Sequence, residues 1–317
     1  MASVYDSSQI SAFLDHIQLP QKYHPANNPV HDLAFLSALH IHTISTIPYE
    51  NLSLHYSPTH IISIDPQLVF QKVVGEKRGR GGYCMEVSIM FNHVLRGLGF
   101  TAYTAGVRIR MRDGGVPSGE FVGWRHIVNI VTLPSGAKYM LDVGFGGDGA
   151  TKPLPMIHGH ALHNLGTQEI RLVHDHIPLQ TYRTDATKLW IYQYRNGPSL
   201  AWNSFYAFAE FEFFHDDFEV MNWYTGCSPE SFQKMIPIVV KFLRRGKEGG
   251  GEGEEEVFGK RMLVHGVVKE NLGGKTQVVR ECVSEGERVA ALEEWFAIRL
   301  SEEERMGILG HFTELKG

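Results

Sequence analysis

The chain changes its repeating pattern once, near Gly99, and that change restricts the folds open to it. Before it, apolar residues recur three and four positions apart. Leu33, Phe35, Leu36, Leu39 and Ile41 mark one face of a helix over residues 32–46. The same grammar predicts helices over residues 10–17, capped by Ser7 or Ser8, over 66–74, and over 84–97 with Gly97 or Gly99 as its stop. After Gly99, β-branched and aromatic residues dominate 100–111, 125–133, 138–145, 169–173 and 189–194. Gly, Pro and Asn turns divide these runs at the close spacing of an antiparallel sheet or barrel. From about Phe205 the signals mix, with strands predicted at 257–267 and 275–279 and a helix over 286–300. The expectation is an α+β chain in three parts: helical over 1–100, an antiparallel β-barrel over 101–204, and α/β over 205–317. The Gly/Glu-rich stretch 244–256 cannot bury a core and reads as a flexible surface excursion.

Bulk properties narrow the function classes. A length of 317 residues suggests two or three substructures, and 43% hydrophobic with 21% charged residues is ample for a core. A net charge of -5 and a pI near 6.4 leave no broad basic field for nucleic acid or anionic membranes. Cys84, Cys227 and Cys282 are odd in number and far apart. That argues against a disulfide framework and a structural zinc site, and for a reducing compartment. The first residues, starting at Met1, lack the basic and apolar regions of a signal peptide, and no apolar run is long enough to span a bilayer. A cytoplasmic location is expected.

Chemistry is signalled first by Arg78-Gly79-Arg80-Gly81-Gly82-Tyr83-Cys84-Met85-Glu86. One cysteine follows two glycines and opens a helix. The positive end of the helix dipole favours the thiolate, which is the nucleophilic form. A small buried apolar role is the competing reading for Cys84. A base is offered by Trp124-Arg125-His126-Ile127-Val128 and its orienter by Tyr139-Met140-Leu141-Asp142-Val143. A hairpin centred on Pro134 or Ser135 puts His126 and Asp142 on one sheet face, opposite or diagonal to each other. The carboxylate would fix the imidazole tautomer and leave the other ring nitrogen for the thiol. A coincidental pair with a structural role is the alternative. Together, Cys84, His126 and Asp142 describe acyl transfer through a thioester.

The Cys84 segment resembles the Arg-Gly-Gly-aromatic-Cys-hydrophobic-Glu signature of arylamine N-acetyltransferases. Ile47-Pro48-Tyr49-Glu50-Asn51-Leu52 is similar to that family's Pro-Phe-Glu-Asn-Leu segment. His126 with its strand, Leu141-Asp142-Val143-Gly144-Phe145-Gly146, Asn222-Trp223-Tyr224 and Ser228-Pro229-Glu230-Ser231-Phe232 match in order. The insertions at 113–119 and 244–256 resemble fungal members. The resemblance implies a helical domain carrying the nucleophile, a barrel carrying His126 and Asp142, and an α/β lid. It also implies a ping-pong exchange in which Cys84 takes an acyl group from acyl-coenzyme A and passes it to an arylamine or arylhydrazine. No tightly bound cofactor and no metal are implied. Arg80 and Glu50 correspond to a structural ion pair behind the nucleophile. Val122, Gly123, Tyr224 and Ser231 correspond to coenzyme A contacts; Glu230 and Val122 stand where some relatives carry a small hydroxyl residue. Tyr49, Phe145 and Trp223 are candidates to stack on an aryl substrate, although aromatic residues at such spacing are more often core. Gly144, Gly146 and Gly147 suit either a pantetheine path or a tight turn.

Other patterns carry less. His158-Gly159-His160 with His163 lacks nearby Cys or carboxylate ligands for a metal. The glycines at 79–82 are not followed by Lys-Ser/Thr, so a nucleotide loop is not indicated. Arg108, Arg110 and Arg112 alternate on one strand face, normally a solvated one, where an anionic malonyl donor is the functional alternative. Two competing functions stay open: a thiol hydrolase or transglutaminase-like enzyme using the same triad, and a non-catalytic relative that binds a small molecule. Acyl preference (acetyl, propionyl or malonyl), the amine and the oligomeric state are not readable from these residues.

Overall fold

The computed structural model describes residues 2–251 and 253–317; Met1 and Glu252 lie outside the described residues. The first part is helical: α1 (Ser7–His16), α2 (Leu33–Thr46), α3 (Ser53–Tyr56), α4 (Pro66–Phe70) and α5 (Cys84–Gly97). Asp6, rather than Ser7 or Ser8, caps α1. Its carboxylate accepts the Gln9 amide at 2.8 Å, and the Gln9 side chain accepts the Asp6 amide in return. The predicted 66–74 helix widens after Phe70 into a single π turn over Gln71–Gly75. In α5, Met85, Met90, Phe91, Val94 and Leu95 have no exposed surface. Burial on several faces makes this a core helix and fixes where its first residue, Cys84, points.

A two-residue strand in this helical part, β1 (Tyr49–Glu50), pairs with a later sheet. The central sheet is antiparallel, eight-stranded and nearly closed. Its strands are β2 (Thr101–Asp113), β3 (Val116–Thr132), β4 (Lys138–Leu141), β5 (Leu154–Pro155), β6 (Ala161–His163), β7 (Glu169–Asp175), β8 (Leu189–Arg195) and β9 (Asn203–Phe208). They lie in the order β5-β4-β3-β2-β9-β8-β7-β6. The strand bounds differ from the expected ones. Residues 113–119 are the tip and early strand of the long β2–β3 hairpin, because Asp113 pairs with Val116 and Arg112 with Pro117. β4 ends at Leu141 rather than at 145, so Asp142 to Gly147 leave the sheet. β9 runs across the expected boundary at 204/205.

The remainder holds α6 (His215–Cys227), α7 (Phe232–Met235), α8 (Glu285–Phe296) and α9 (Glu302–Gly307). Its strands are β10 (Ile238–Gly246), β11 (Glu255–Val264), β12 (Val267–Asn271) and β13 (Gln277–Glu281), forming a sheet in the order β1-β10-β11-β12-β13. The Gly/Glu tract is not simply a loose excursion, since its ends pair as the β10–β11 hairpin, Arg245 facing Glu256. Arg244 pairs with Glu255 at 2.8 Å and donates to Ser45 and Thr46 at the end of α2. Among the described residues, no helix is long and apolar enough to cross a membrane.

Candidate active site

The nucleophile position is built by close backbone packing. The Tyr49 strand and Gly82 form a parallel bridge, with the Glu50 amide donating to the Gly82 carbonyl at 3.0 Å. A Cβ on Gly81 would lie 1.8 Å from the Pro48 carbonyl oxygen, so only glycine lets the two segments meet. Beneath this bridge, Arg80 and Glu50 are each 1% exposed and pair at 2.9 Å. The remaining oxygens and donors are also used. Glu50 accepts the amides of Leu52 at 2.7 Å and Gly81 at 3.2 Å, while Arg80 donates to Ser53 at 3.0 Å and to Glu304 on α9. Burial works against ionisation of Glu50, but the Arg80 charge outweighs it and holds the carboxyl at about 2. Such a satisfied pair is costly to break, because the partner left behind is a bare buried charge.

Cys84 is the first residue of α5 and is 4% exposed. Glu86 accepts the Tyr83 amide at 3.0 Å, closing the helix start, and Lys72 neutralises it from α4's π turn. His126 Nε2 meets Asp142 Oδ2 at 2.9 Å, and Asp142 Oδ1 accepts the Gly144 amide at 3.2 Å. The register explains the pairing. Asn129 faces Leu141 and Ile130 faces Met140, so the turn centres on Ser135 and His126 sits diagonal to Asp142. With Nε2 committed to Asp142, Nδ1 is the ring nitrogen left for Cys84, which lines the same cavity as the imidazole. Burial opposes protonation of His126; the Asp142 charge and hydrogen bond, with Cys84, outweigh it and push the imidazole up to about 10. This arrangement favours a protonated imidazole beside the sulfur.

The segment that follows β4 locks the two parts together. A Cβ on Gly144 would lie 2.8 Å from Cys84 Cα, 2.9 Å from its carbonyl oxygen and 3.0 Å from Ser88 Oγ. Phe145 then turns its ring edge to His126, with centroids 5.0 Å apart.

A cavity of about 440 Å³, counting its open mouth, lies over Cys84 and His126. Of the other residues singled out from the sequence, Tyr49, Gly144, Phe145 and Ser231 line it. Tyr224 does not line it directly but stacks beneath Arg125, which does; the Arg125 carbon is 4.3 Å from the ring centroid and Nη2 donates to the phenol at 2.7 Å. Val122, Gly123 and Trp223 are elsewhere. Val122 packs against the barrel core, Gly123 is exposed with open space around it, and Trp223 is 71% exposed. The three alternating arginines also miss the cavity. Arg108 lies over Trp124, Arg110 donates to the Gly119 and Ser204 carbonyls, and Arg112 pairs with Asp148. His158 Nδ1 accepts the His174 amide and His163 Nε2 meets the Gly166 carbonyl, both ordinary loop ties.

Four further residues escaped the sequence reading: Arg125, Thr225, Gln233 and Glu304. Gln233 donates to the Tyr49 hydroxyl and accepts from Asn51 at 3.1 Å, joining α7 to the bridge beside Cys84. Thr225 is 5% exposed, lines the cavity, and its hydroxyl has no partner among the described residues.

These features agree with comparisons to known proteins. A family model described as N-acetyltransferase matches residues 32–305. The chain is similar to N-malonyltransferase FDB2 of Fusarium pseudograminearum (strain CS3096), 32% identical over 325 residues covering 96% of this chain and 92% of that one. The arylamine N-acetyltransferase structure from Salmonella typhimurium superposes with a TM-score of 0.77 at 21% identity, covering 97% of this chain and all of that one. The Mycobacterium marinum arylamine N-acetyltransferase in complex with CoA gives 0.72 at 21% identity, covering 94% and 97%. The chain belongs to the arylamine N-acetyltransferase family of acyltransferases.

Proposed function

We propose that the protein transfers an acyl group from acyl-coenzyme A to the nitrogen of an arylamine or arylhydrazine through a Cys84 thioester. The observation that carries this reading is the single line of contacts from Asp142 through His126 to Cys84 at the floor of a cavity. The Cys84 sulfur forms a bond to the acyl carbon, and the coenzyme A thiolate leaves, taking the proton held on His126. An amine nitrogen then attacks the thioester, Cys84 leaves as thiolate, and the amine proton passes to the imidazole. Asp142 keeps the ring oriented throughout. Thioester exchange with a thiol is nearly isoenergetic, so the site's task is positioning. Arg80 and Glu50 act beneath the reacting atoms by fixing the loop.

Intact-mass measurement after mixing the protein with each acyl-coenzyme A tests the first half-reaction. One acyl increment is expected, absent in Cys84→Ala. An adduct that persists in Cys84→Ala refutes Cys84 as acceptor. Amine-dependent discharge of the adduct tests the second half, and release of free acid without any amine would favour a thiol hydrolase.

A further inference from the structure

Consecutive residues in a strand point to opposite faces, yet Arg125 and His126 line the same cavity. The ladder shows why. Val107 pairs with His126 and Arg108 pairs with Trp124, so Arg125 is the extra residue of a β-bulge. Bulges re-aim a side chain that strict alternation would send the other way. Here the re-aimed side chain is a guanidinium. It forms no ion pair with a carboxylate among the described residues, and the phenol of Tyr224 is its one hydrogen-bond acceptor there. Glu230 approaches that phenol at 3.4 Å rather than the guanidinium. Asp142 is spoken for by His126 and the Gly144 amide. The residue after Tyr224, Thr225, also lines this cavity, and its hydroxyl is buried and without a partner among the described residues. A cation with spare donors and a residue carrying an unsatisfied hydroxyl therefore line the same cavity as the nucleophile.

We propose that Arg125 and Thr225 form a carboxylate-reading subsite, so that the acyl group taken by Cys84 carries its own free carboxylate, as a malonyl group does. This rests on the acyl-transfer reading above and deepens it. A malonyl carboxylate sits one methylene beyond the thioester carbonyl, within the cavity that Cys84 and Arg125 share. The planar guanidinium fork matches a carboxylate with two parallel donors, and one of its edges is held by Tyr224. An acetyl group offers nothing to these donors and leaves them unpaired on the cavity wall. That asymmetry makes discrimination strong, because the penalty falls on the wrong substrate.

The test uses the full chain and an equimolar mixture of acetyl-, malonyl- and isovaleryl-coenzyme A, with the bound acyl group read by intact mass. Isovaleryl is the neutral shape-match of malonyl. Wild-type protein is expected to carry mainly malonyl. Arg125→Gln is expected to shift the malonyl-to-acetyl ratio toward acetyl by about 10- to 100-fold, the range of a hydrogen bond to a charged group. Thr225→Val, nearly isosteric, is expected to shift it by about 2- to 10-fold. Acetyl loading of each variant reports that it is folded. An unchanged ratio in Arg125→Gln would overturn the proposal, as would wild-type protein that loads isovaleryl as readily as malonyl. Equal loss of both acyl groups in Arg125→Gln would overturn it too, by assigning Arg125 to the coenzyme portion. Wild-type protein that takes no acyl group from any donor fails the acyl-transfer reading itself.

Discussion

Gly144→Ala is the sharpest probe of how this site is assembled. Gly144 is not in the left-handed region, so alanine is acceptable to its backbone and the effect is steric alone. The new methyl carbon would lie 2.8 Å from Cys84 Cα, about 0.6 Å inside the 3.4 Å at which ordinary contact begins. Its other two neighbours are Cys84's own carbonyl oxygen and Ser88 Oγ, both on α5. α5 is a core helix and resists movement, so the loop after Asp142 must withdraw from it. Overpacking of this kind costs about 1–3 kcal/mol. For a chain of this size that lowers Tm by roughly 2–5 °C. The displacement runs between Asp142–His126 and Cys84, so it also opens the contact that prepares the nucleophile. A shift of this order is expected to slow acylation roughly 10- to 100-fold. Stopped-flow acylation and the rate of Cys84 alkylation by iodoacetamide measure it. Gly123→Ala is the control, since a Cβ there meets nothing within 4 Å. Wild-type acylation and an unchanged Tm in Gly144→Ala would refute the claim that this glycine contact sets the His126–Cys84 geometry.

Three further outcomes follow from the electrostatics. His126 is held up at about 10, above its ordinary 6.5, so its contribution to stability is full below pH 6.5 and is lost as pH rises through 10. Urea midpoints from pH 6 to 10 should fall on this account in wild-type protein, and the fall should flatten in Asp142→Asn. Asp142→Asn should also slow iodoacetamide alkylation of Cys84 near neutral pH, because the largest favourable influence on the imidazolium is gone; unchanged alkylation would separate Asp142 from the nucleophile. Arg80→Met leaves Glu50 and Glu304 without their shared cation and should cost about 3–5 kcal/mol at pH 7. Glu50 is depressed to about 2, so the wild-type advantage is present above the ordinary 4.5 and is lost as pH falls toward 2. The gap between Arg80→Met and wild type in chemical denaturation should therefore narrow in acid.

Much of the site was readable because its signals are local. A cysteine behind two glycines at a helix start, and a histidine and aspartate across one tight hairpin, are relations spanning only a few residues or a single turn. The helix-to-strand change at Gly99 was equally visible, as helical spacing gave way to β-branched runs. The unreadable parts depend on other causes. α6 carries exposed Val220 and Trp223 among polar residues, so no apolar stripe announces it. Strand alternation puts Arg125 opposite His126, and a bulge that cancels alternation leaves no mark in the residue types. The Gly/Glu tract has the composition of a solvated loop, yet Arg244 at its root finds α2. Glu304 lies 224 residues from Arg80, and no local pattern links them.

That last contact changes how the C-terminal segment relates to the chemistry. Ser231, Phe232 and Gln233 from this segment line the cavity. The same segment also reaches the nucleophile loop. Glu304 on α9 is shared by Arg78 and Arg80, and the Arg299 amide donates to the Arg78 carbonyl at 2.8 Å. β1 is in turn an edge strand of the C-terminal sheet, with Tyr49 facing Val240 and Glu50 facing Val239. Tyr49 and Glu50 thus sit in one sheet with β10 while Glu50 and Pro48 hold Gly81 and Gly82. Loosening the far end of the chain therefore removes a carboxylate from Arg80 and a sheet partner from β1 at once. The loop that carries Cys84 is fixed by residues more than two hundred positions away, and its geometry is a property of the complete fold rather than of the helical part alone.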